Sequence, residues 1–185
     1  ALRRISTFDP SGFRCRIGSA AADFQGAKDF VPKSYRKAVK VMARDTELAV
    51  AAAKLAVDDA RLATRGTLPE GSTDPSTYPS GRMGCNIGAG LIAAETDELT
   101  LAFATAQAGD PARPSLDLKA WGSGPGGKGA VNNLPPLWML KYLPNMLACH
   151  VTIIHGAEGP SNTITCAEAS GLLSIGESAR VIERG

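Results

Sequence analysis

Apolar residues recur at helical spacing most clearly between residues 34 and 63. Positions three or four residues apart are apolar or small there, and charged residues occupy the opposite side. The pattern assigns the buried face to Val39, Met42, Ala43, Thr46, Val50, Ala53, Val57 and Ala60, and the solvated face to Lys40, Arg44, Glu47, Lys54, Asp58 and Arg61. Because much of the apolar face is alanine, the segment is predicted to be one long helix packed closely against its neighbours.

Shorter patterns along the chain predict strands that alternate with helices. The predicted elements are an irregular start (1–35), a loop (64–80), a short strand ending in Gly88-Ala89-Gly90, a helix (about 91–108), a long loop (109–136), a helical core (140–155), a strand around Ile164 and a last helix (about 168–184). The last helix is expected to bury Leu172, Ile175, Ala179 and Ile182. Strands alternating with helices indicate an α/β protein.

Composition indicates one ordinary soluble globular domain of 185 residues, with 44% apolar and 21% charged residues. A net charge of +2 argues against a nucleic-acid partner or a membrane surface. No apolar run approaches the roughly 18 residues of a membrane span. The first residues, Ala1 to Arg4, contain neither an initiator methionine nor a signal pattern, so we expect a processed piece or missing upstream residues.

The four cysteines show no CxxC spacing, and only two histidines are present, so no metal site is predicted. Cys85, Cys149 and Cys166 lie in apolar or small-residue stretches, which favours reduced structural thiols in a cytoplasmic protein. His150 and His155 are predicted to be hydrogen-bonded structural residues.

Two glycine-rich segments could suggest a cofactor. Gly122 to Gly129 matches the spacing of a phosphate-binding loop, but glycine replaces the required hydroxyl residue and the flanks are loop. Gly88-Ala89-Gly90 lacks the third glycine of a dinucleotide turn. Neither segment therefore predicts a cofactor.

The last third of the chain carries the most specific motifs. Asn145 to His150 reads Asn-Met-Leu-Ala-Cys-His; Gly159-Pro160-Ser161 follows, and residues 167–171 read Ala-Glu-Ala-Ser-Gly. In order and spacing these motifs resemble the β-ketoacyl synthase (condensing enzyme) family, whose pattern is Asn-Met-x-Ala-x-His, Gly-Pro-Ser and Ala-Cys-x-Ser-Gly. Residues 82–90 resemble the strand and turn Arg-x-Gly-x-x-x-Gly-x-Gly of the same family, and the resemblance covers essentially all 185 residues.

The resemblance implies a thiolase-like layered α/β fold, with residues 1–185 forming only part of its N-terminal half. The opening strand and helix of the family, its two catalytic histidines and its C-terminal half are expected outside this chain. The resemblance also implies a dimer, either homomeric or with another ketosynthase, that pairs the strand near residues 159–165. Acyl carrier protein or an acyl-coenzyme A thioester is the implied partner, without a cofactor.

Glu168 stands where the family has its nucleophilic cysteine, which receives the acyl chain as a thioester. A carboxylate attacking a thioester would form an anhydride, which is uphill and readily hydrolysed. An ionised Glu168 would also repel the malonyl carboxylate, so ordinary condensation is expected to be lost or altered. Cys166 is not expected to substitute, because the place of the nucleophile is fixed by the start of the helix, where Glu168 is predicted to occupy the first turn.

Leu91 and Trp138 match the acyl-gate and dimer-face positions of the family, with simple core packing as an equal interpretation. Trp138 is bulkier than the phenylalanine usual there and would narrow an acyl tunnel. Two main functions remain open, with a simple acyl-binding module as a third possibility. One is a synthase-family enzyme of fatty-acid or polyketide synthesis with altered chemistry. The other is a non-catalytic partner or scaffold that resembles a chain-length subunit and binds carrier protein and an acyl chain.

Overall fold

The computed structural model describes residues 2–19, 21, 23–90, 92–122 and 129–185. The α-helices of this part are α1 (Arg44–Asp59), α2 (Thr96–Thr105), α3 (Leu118–Gly122), α4 (Trp138–Lys141), α5 (Met146–His155) and α6 (Ser170–Arg184). The strands are β1 (Arg3–Arg4), β2 (Ile17–Gly18), β3 (Cys85–Gly88), β4 (Gln107–Ala108), β5 (Ser115–Leu116) and β6 (Ser161–Ile164). Turns of 3-10 helix cover Ala27–Asp29, Lys33–Val41, Ser80–Arg82 and Ala130–Asn133.

A parallel pair of strands, β3 and β6, forms the centre of the described fold. Cys85 lies opposite Ser161, and the register continues to Gly88 opposite Ile164. Parallel neighbours need a long crossover, which the 89–160 segment with its helices provides. The predicted strands before Gly88 and around Ile164 are confirmed. The two other strand pairs, β1 with β2 and β4 with β5, are antiparallel and short.

Helix α6 packs directly on β3, with almost no space between the two backbones. A Cβ atom on Gly88 would lie 2.3 Å from the carbonyl carbon and oxygen of Ser170. Such a distance is far inside van der Waals contact, so glycine is the residue that permits this approach. Farther along the helix, Asn86 Nδ2 donates a hydrogen bond of 3.2 Å to Ser178 Oγ. The start of α6 is thereby fixed against the end of β3.

The predicted buried face of α6 is wrong. Leu172, Ile175 and Ile182 are 77%, 68% and 79% exposed, whereas Ser170 and Ser174 are buried. The close approach of α6 to β3 explains the inversion, because only small side chains fit between a helix and a strand whose backbones nearly touch. Helical spacing correctly placed these apolar residues on one face of α6, but that face is exposed instead of packed on β3.

The long helix predicted over residues 34–63 is two elements. A 3-10 segment ends at Val41, Met42 and Ala43 are extended with ψ of 136° and 162°, and α1 then begins at Arg44. Extended backbone turns successive side chains in opposite directions. Met42 accordingly joins the apolar cluster of Val50, Val151 and Ile154, while Ala43 joins a second cluster. Tertiary packing overrides the helical pattern here.

Both histidines lie on α5 and are buried, as predicted for structural residues. His150 Nδ1 is 2.8 Å from Tyr35 Oη, and His155 Nδ1 is 2.8 Å from Thr64 Oγ1. Burial lowers the pKa of both imidazoles from their usual value of 6.5. Their predicted hydrogen-bonded role is confirmed.

Several smaller predictions need correction. The helix expected over 91–108 spans only Thr96–Thr105, and both irregular segments, 1–35 and 109–136, contain short strands or helical turns. Glu47 is half-buried rather than solvated, because its Oε2 accepts a hydrogen bond of 3.1 Å from the Ala27 N–H. Cys166 is exposed. The glycine-rich stretch 123–128 lies outside the described residues.

Gly88→Ala is expected to destabilise the protein by about 3 kcal/mol, because the added methyl group overpacks the α6–β3 contact. Gly176→Ala is the matched control: it adds the same methyl group within α6, where nothing lies within 4 Å, and should stabilise by at most about 1 kcal/mol. Urea unfolding monitored by circular dichroism measures both effects. Equal midpoints for Gly88→Ala and wild type would contradict the described contact.

Candidate functional site

The carboxyl ends of β3 and β6 lie side by side and define the candidate site. Their pairing extends one residue past β3, since the Ala89 N–H donates a 3.0 Å hydrogen bond to the carbonyl oxygen of Ile164, the last residue of β6. In open parallel sheets, ligands bind outside the carboxyl ends of the strands. The chain leaves β6 there, turns over residues 165–169 and enters α6, so Glu168 lies at this edge of the sheet.

The turn between β6 and α6 is held by the side chain of Ser170. Ser170 Oγ accepts a 2.8 Å hydrogen bond from the Cys166 N–H and donates one of 2.6 Å to Ala167 O. Ala167 adopts φ 43°, in the left-handed region that non-glycine residues rarely occupy. Because Ser170 is only 3% exposed, these bonds are shielded from water. The turn is therefore tight and strained, and one buried hydroxyl group helps to hold it together with backbone hydrogen bonds from the Ala169 N–H to Cys166 O and from the Ser170 N–H to Ala167 O.

Glu168 is exposed in this turn, between strained Ala167 and the helix N-cap Ala169. The prediction that it occupies the first turn of the last helix is wrong, because α6 begins at Ser170. The stabilisation that an acidic residue gains from a helix dipole falls off beyond the first turn. Cys166, two residues earlier, is also exposed.

Trp138 opens the single-turn helix α4 and is half-buried. Its ring lies 5.3 Å from the Tyr142 ring, centroid to centroid. Tyr142 in turn packs against the apolar cluster of Ala43, Ile92 and Leu147, whose other members include Ile87 and Ala89. Trp138 is thus connected through Tyr142 to the carboxyl end of β3. Leu91, the other predicted pocket residue, lies outside the described residues.

Sequence reasoning missed a polar network beside Trp138. Tyr142 Oη donates a 2.7 Å hydrogen bond to Glu98 Oε2, and Lys141 Nζ pairs with Glu98 Oε1. These partners are 43 and 44 residues apart in sequence, and no local motif announces them.

The electrostatics of this network keep Glu98 ionised. Burial by itself would raise the pKa of the Glu98 carboxyl, but hydrogen bonds from Lys141 and Tyr142 outweigh it and lower the pKa. The Trp138 indole contributes in the same direction, although its Nε1 falls short of a regular hydrogen bond. Burial and the hydrogen bond to Glu98 both raise the pKa of the Tyr142 phenol.

Within the described residues, no group of three His, Cys, Asp or Glu side chains is arranged to hold a metal ion. Nor is any described helix both long enough and apolar enough to span a membrane.

Comparison with known proteins identifies the family. Residues 3–185 match the N-terminal domain of the β-ketoacyl synthases. The chain is 31% identical over 187 residues to the actinorhodin polyketide β-ketoacyl synthase 1 of Streptomyces coelicolor, covering all of this chain and 33% of the relative. It is 28% identical over 184 residues to 3-oxoacyl-[acyl-carrier-protein] synthase 2 of Staphylococcus aureus, again over its whole length and 36% of the relative.

The chain therefore belongs to the β-ketoacyl synthase family, and its fold is part of the thiolase-like N-terminal domain of that family. It spans about a third of the length of these relatives.

Ala167→Gly is expected to stabilise the protein by roughly 0.5–1 kcal/mol. Left-handed backbone costs a non-glycine residue about 1–2 kcal/mol, which exceeds the entropy cost of glycine, about 0.5–1 kcal/mol. Ala52→Gly, at an exposed position inside α1, is the control and should lose about 1 kcal/mol. Thermal unfolding should show a higher midpoint than wild type for Ala167→Gly and a lower one for Ala52→Gly. Losses of stability of equal size in both variants would disprove the left-handed turn.

Proposed function

We propose that this chain is the N-terminal part of a β-ketoacyl synthase-like protein of fatty-acid or polyketide synthesis in which ordinary cysteine-dependent condensation is lost or altered. The observation that carries the proposal is the exposed Glu168 in the strained turn after β6. Motif spacing puts Glu168 in the place of the family nucleophile, nine residues after Gly159. The strand β6 precedes Glu168 and the helix α6 follows it, which are the elements expected to flank a nucleophile at this position.

The chemistry of a carboxylate at this position argues against normal turnover. A cysteine thiolate exchanges one thioester for another, which is nearly thermoneutral. Glutamate would have to form an anhydride with the acyl group and would release the pantetheine thiol in a step that is uphill. Its negative charge would also oppose the malonyl carboxylate and the developing oxyanion, because like charges repel.

A second candidate is a non-catalytic partner of an intact synthase. Leu137 and Met139 flank Trp138 and are 65% and 69% exposed, which leaves an apolar surface beside the predicted dimer face. Ser161 and Asn162, the first two residues of β6, are exposed as well. We propose that these surfaces meet a second ketosynthase subunit, identical or catalytically intact. The parent sequence discriminates the two functions, since an enzyme should retain both family histidines.

A basic surface supports a carrier-protein partner for either function. The 3-10 segment Lys33–Val41 exposes four basic residues and contains no acid: Lys33, Arg36, Lys37 and Lys40. This segment alone carries more positive charge than the net +2 of the chain. We propose that the segment docks acyl carrier protein and that the contacting face of the carrier is acidic. The unpaired cysteines accord with the cytoplasmic location that we propose.

Wild-type protein is incubated with carrier protein that bears an acyl group and with a malonyl donor. It is expected to gain no acyl group and to form no 3-oxoacyl product. Glu168→Cys should acquire the mass of one acyl group, because it restores a nucleophile whose exchange is thermoneutral. Intact-mass spectrometry measures the adduct.

Cys166→Ala is the control, made alone and together with Glu168→Cys, so that an adduct on Cys166 is recognised. The single variant should stay unmodified and the double variant should be acylated. An acylated wild type that releases 3-oxoacyl product would refute the loss of condensation.

Lys37→Glu combined with Lys40→Glu is expected to weaken carrier binding by about tenfold or more, because attraction becomes repulsion at the docking surface. The effect should diminish as salt concentration rises. Arg14→Glu combined with Arg113→Glu, which reverses two exposed charges outside this segment, is the matched control. Isothermal titration calorimetry measures the affinity for carrier protein. Equal losses of affinity in all variants would mean that net charge, and not a docking surface, determines binding.

A further inference from the structure

The basic segment Lys33–Val41 has little stability of its own. It is a 3-10 helix of nine residues, whereas runs longer than about three or four are uncommon, because the hydrogen-bond geometry is poor. Its four cations lie at spacings of three and four residues, at which like charges repel one another. Arg36 pairs with Asp29 at 3.9 Å, but this pair contributes little, since the Asp29 side chain is 89% exposed. The conformation of the segment therefore depends on tertiary contacts.

Apolar packing supplies part of that support. None of the nine residues is buried, although Tyr35, Ala38 and Val39 pack with partly exposed side chains against the apolar cluster that contains Val151. Tyr35 also lines a cavity of about 550 Å³, which residues between 65 and 76 line as well. Because this cavity separates it from packed chain, the beginning of the segment needs a further contact to hold it in place.

A hydrogen bond between Tyr35 and His150 connects the segment to α5. Tyr35 Oη lies 2.8 Å from His150 Nδ1, and the two rings meet edge to face with centroids 5.8 Å apart. His150 is 3% exposed, and its other ring nitrogen, Nε2, has no hydrogen-bond partner within the described residues. Burial lowers the pKa of the imidazole and raises the pKa of the phenol, so both groups are uncharged at neutral pH. The basic segment is thus tied to a buried helix by a bond between neutral groups.

We propose that Tyr35 and His150 are positioning residues for carrier-protein docking, and that their hydrogen bond holds the basic segment ordered before the carrier arrives. This inference rests on the proposed function, because it takes Lys33–Val41 as the docking surface. Without the bond, the carrier would have to order the segment as it binds, and that entropy cost lowers affinity. The histidine of the Asn145–His150 motif then acts on partner binding through Tyr35.

The first measurement is hydrogen exchange of the full chain without carrier protein, followed by mass spectrometry. Tyr35→Phe removes the hydroxyl group and keeps the ring. Combined with His150→Leu it removes both partners, so that the imidazole is not left buried without its partner and the loss of stability is limited. The single and the double variant should both exchange about threefold to tenfold faster within Lys33–Val41 and at an unchanged rate within α6, because the opening is local.

Two further variants are the controls for this experiment. Thr64→Val removes the corresponding hydrogen bond of the other histidine on α5, from Thr64 Oγ1 to His155 Nδ1, which is also 2.8 Å long. It should leave exchange within Lys33–Val41 unchanged. His150→Asn should exchange there as wild type does, because an asparagine amide can bond Tyr35 Oη from the position of Nδ1.

The second measurement is the affinity of the same variants for carrier protein, by isothermal titration calorimetry. Tyr35→Phe and the double variant should bind about threefold to tenfold more weakly, while Thr64→Val and His150→Asn should bind as wild type does. In the Lys37→Glu, Lys40→Glu background, Tyr35→Phe should cause no further loss, because the interaction that it positions is already gone. An effect that does not pass through the basic segment would give the same loss in both backgrounds.

The outcomes separate this inference from the proposed function. Unchanged exchange within Lys33–Val41 in Tyr35→Phe and in the double variant overturns the positioning role, whether or not carrier protein binds. Faster exchange with unchanged affinity overturns the role in docking. If charge reversal at Lys37 and Lys40 also leaves the affinity unchanged, the docking surface of the proposed function fails, and this inference fails with it.

Discussion

The backbone contact between Gly88 and Ser170 is the constraint on which the site depends. It brings the end of β3 against the start of α6, so that the carboxyl ends of two parallel strands and the first turn of a helix share one edge. Ser170 then contributes a second time, because its hydroxyl group bonds both Cys166 and Ala167 and fixes the strained turn. A glycine on the strand and a serine on the helix thus define where residue 168 lies.

This geometry is suited to presenting a reactive side chain, whatever that side chain is. Glu168 is exposed between the strained Ala167 and Ala169, the N-cap of α6. What we propose to be lost is the ability to form and break a thioester, since that depends on sulfur and not on charge.

The position of Trp138 depends on a different kind of interaction. Trp138 is carried by a helix of four residues, and a shielded Glu98–Lys141 pair with the Tyr142 hydroxyl group holds this helix to α2. Removing one partner of such a pair leaves a poorly hydrated charge, which makes the network sensitive to single substitutions. The turn near Glu168 is fixed by backbone contact and the Ser170 hydroxyl group, whereas side-chain contacts with α2 help to hold the short helix that begins at Trp138.

The sequence by itself determined the family, the order of the motifs, the two strands before Gly88 and around Ile164, and the structural histidines, because short motifs at fixed spacing carry that information locally. It placed Glu168 within two residues of the helix start. Only the tertiary structure decided that the helical pattern breaks at Met42 and Ala43, since these two neighbours belong to different apolar clusters. It also decided that α6 buries serines instead of leucine and isoleucine, and that Glu98 reaches Lys141 and Tyr142. The physical reason is common to all three: each depends on which residues distant in sequence lie opposite, and periodicity reports only on neighbours along the chain.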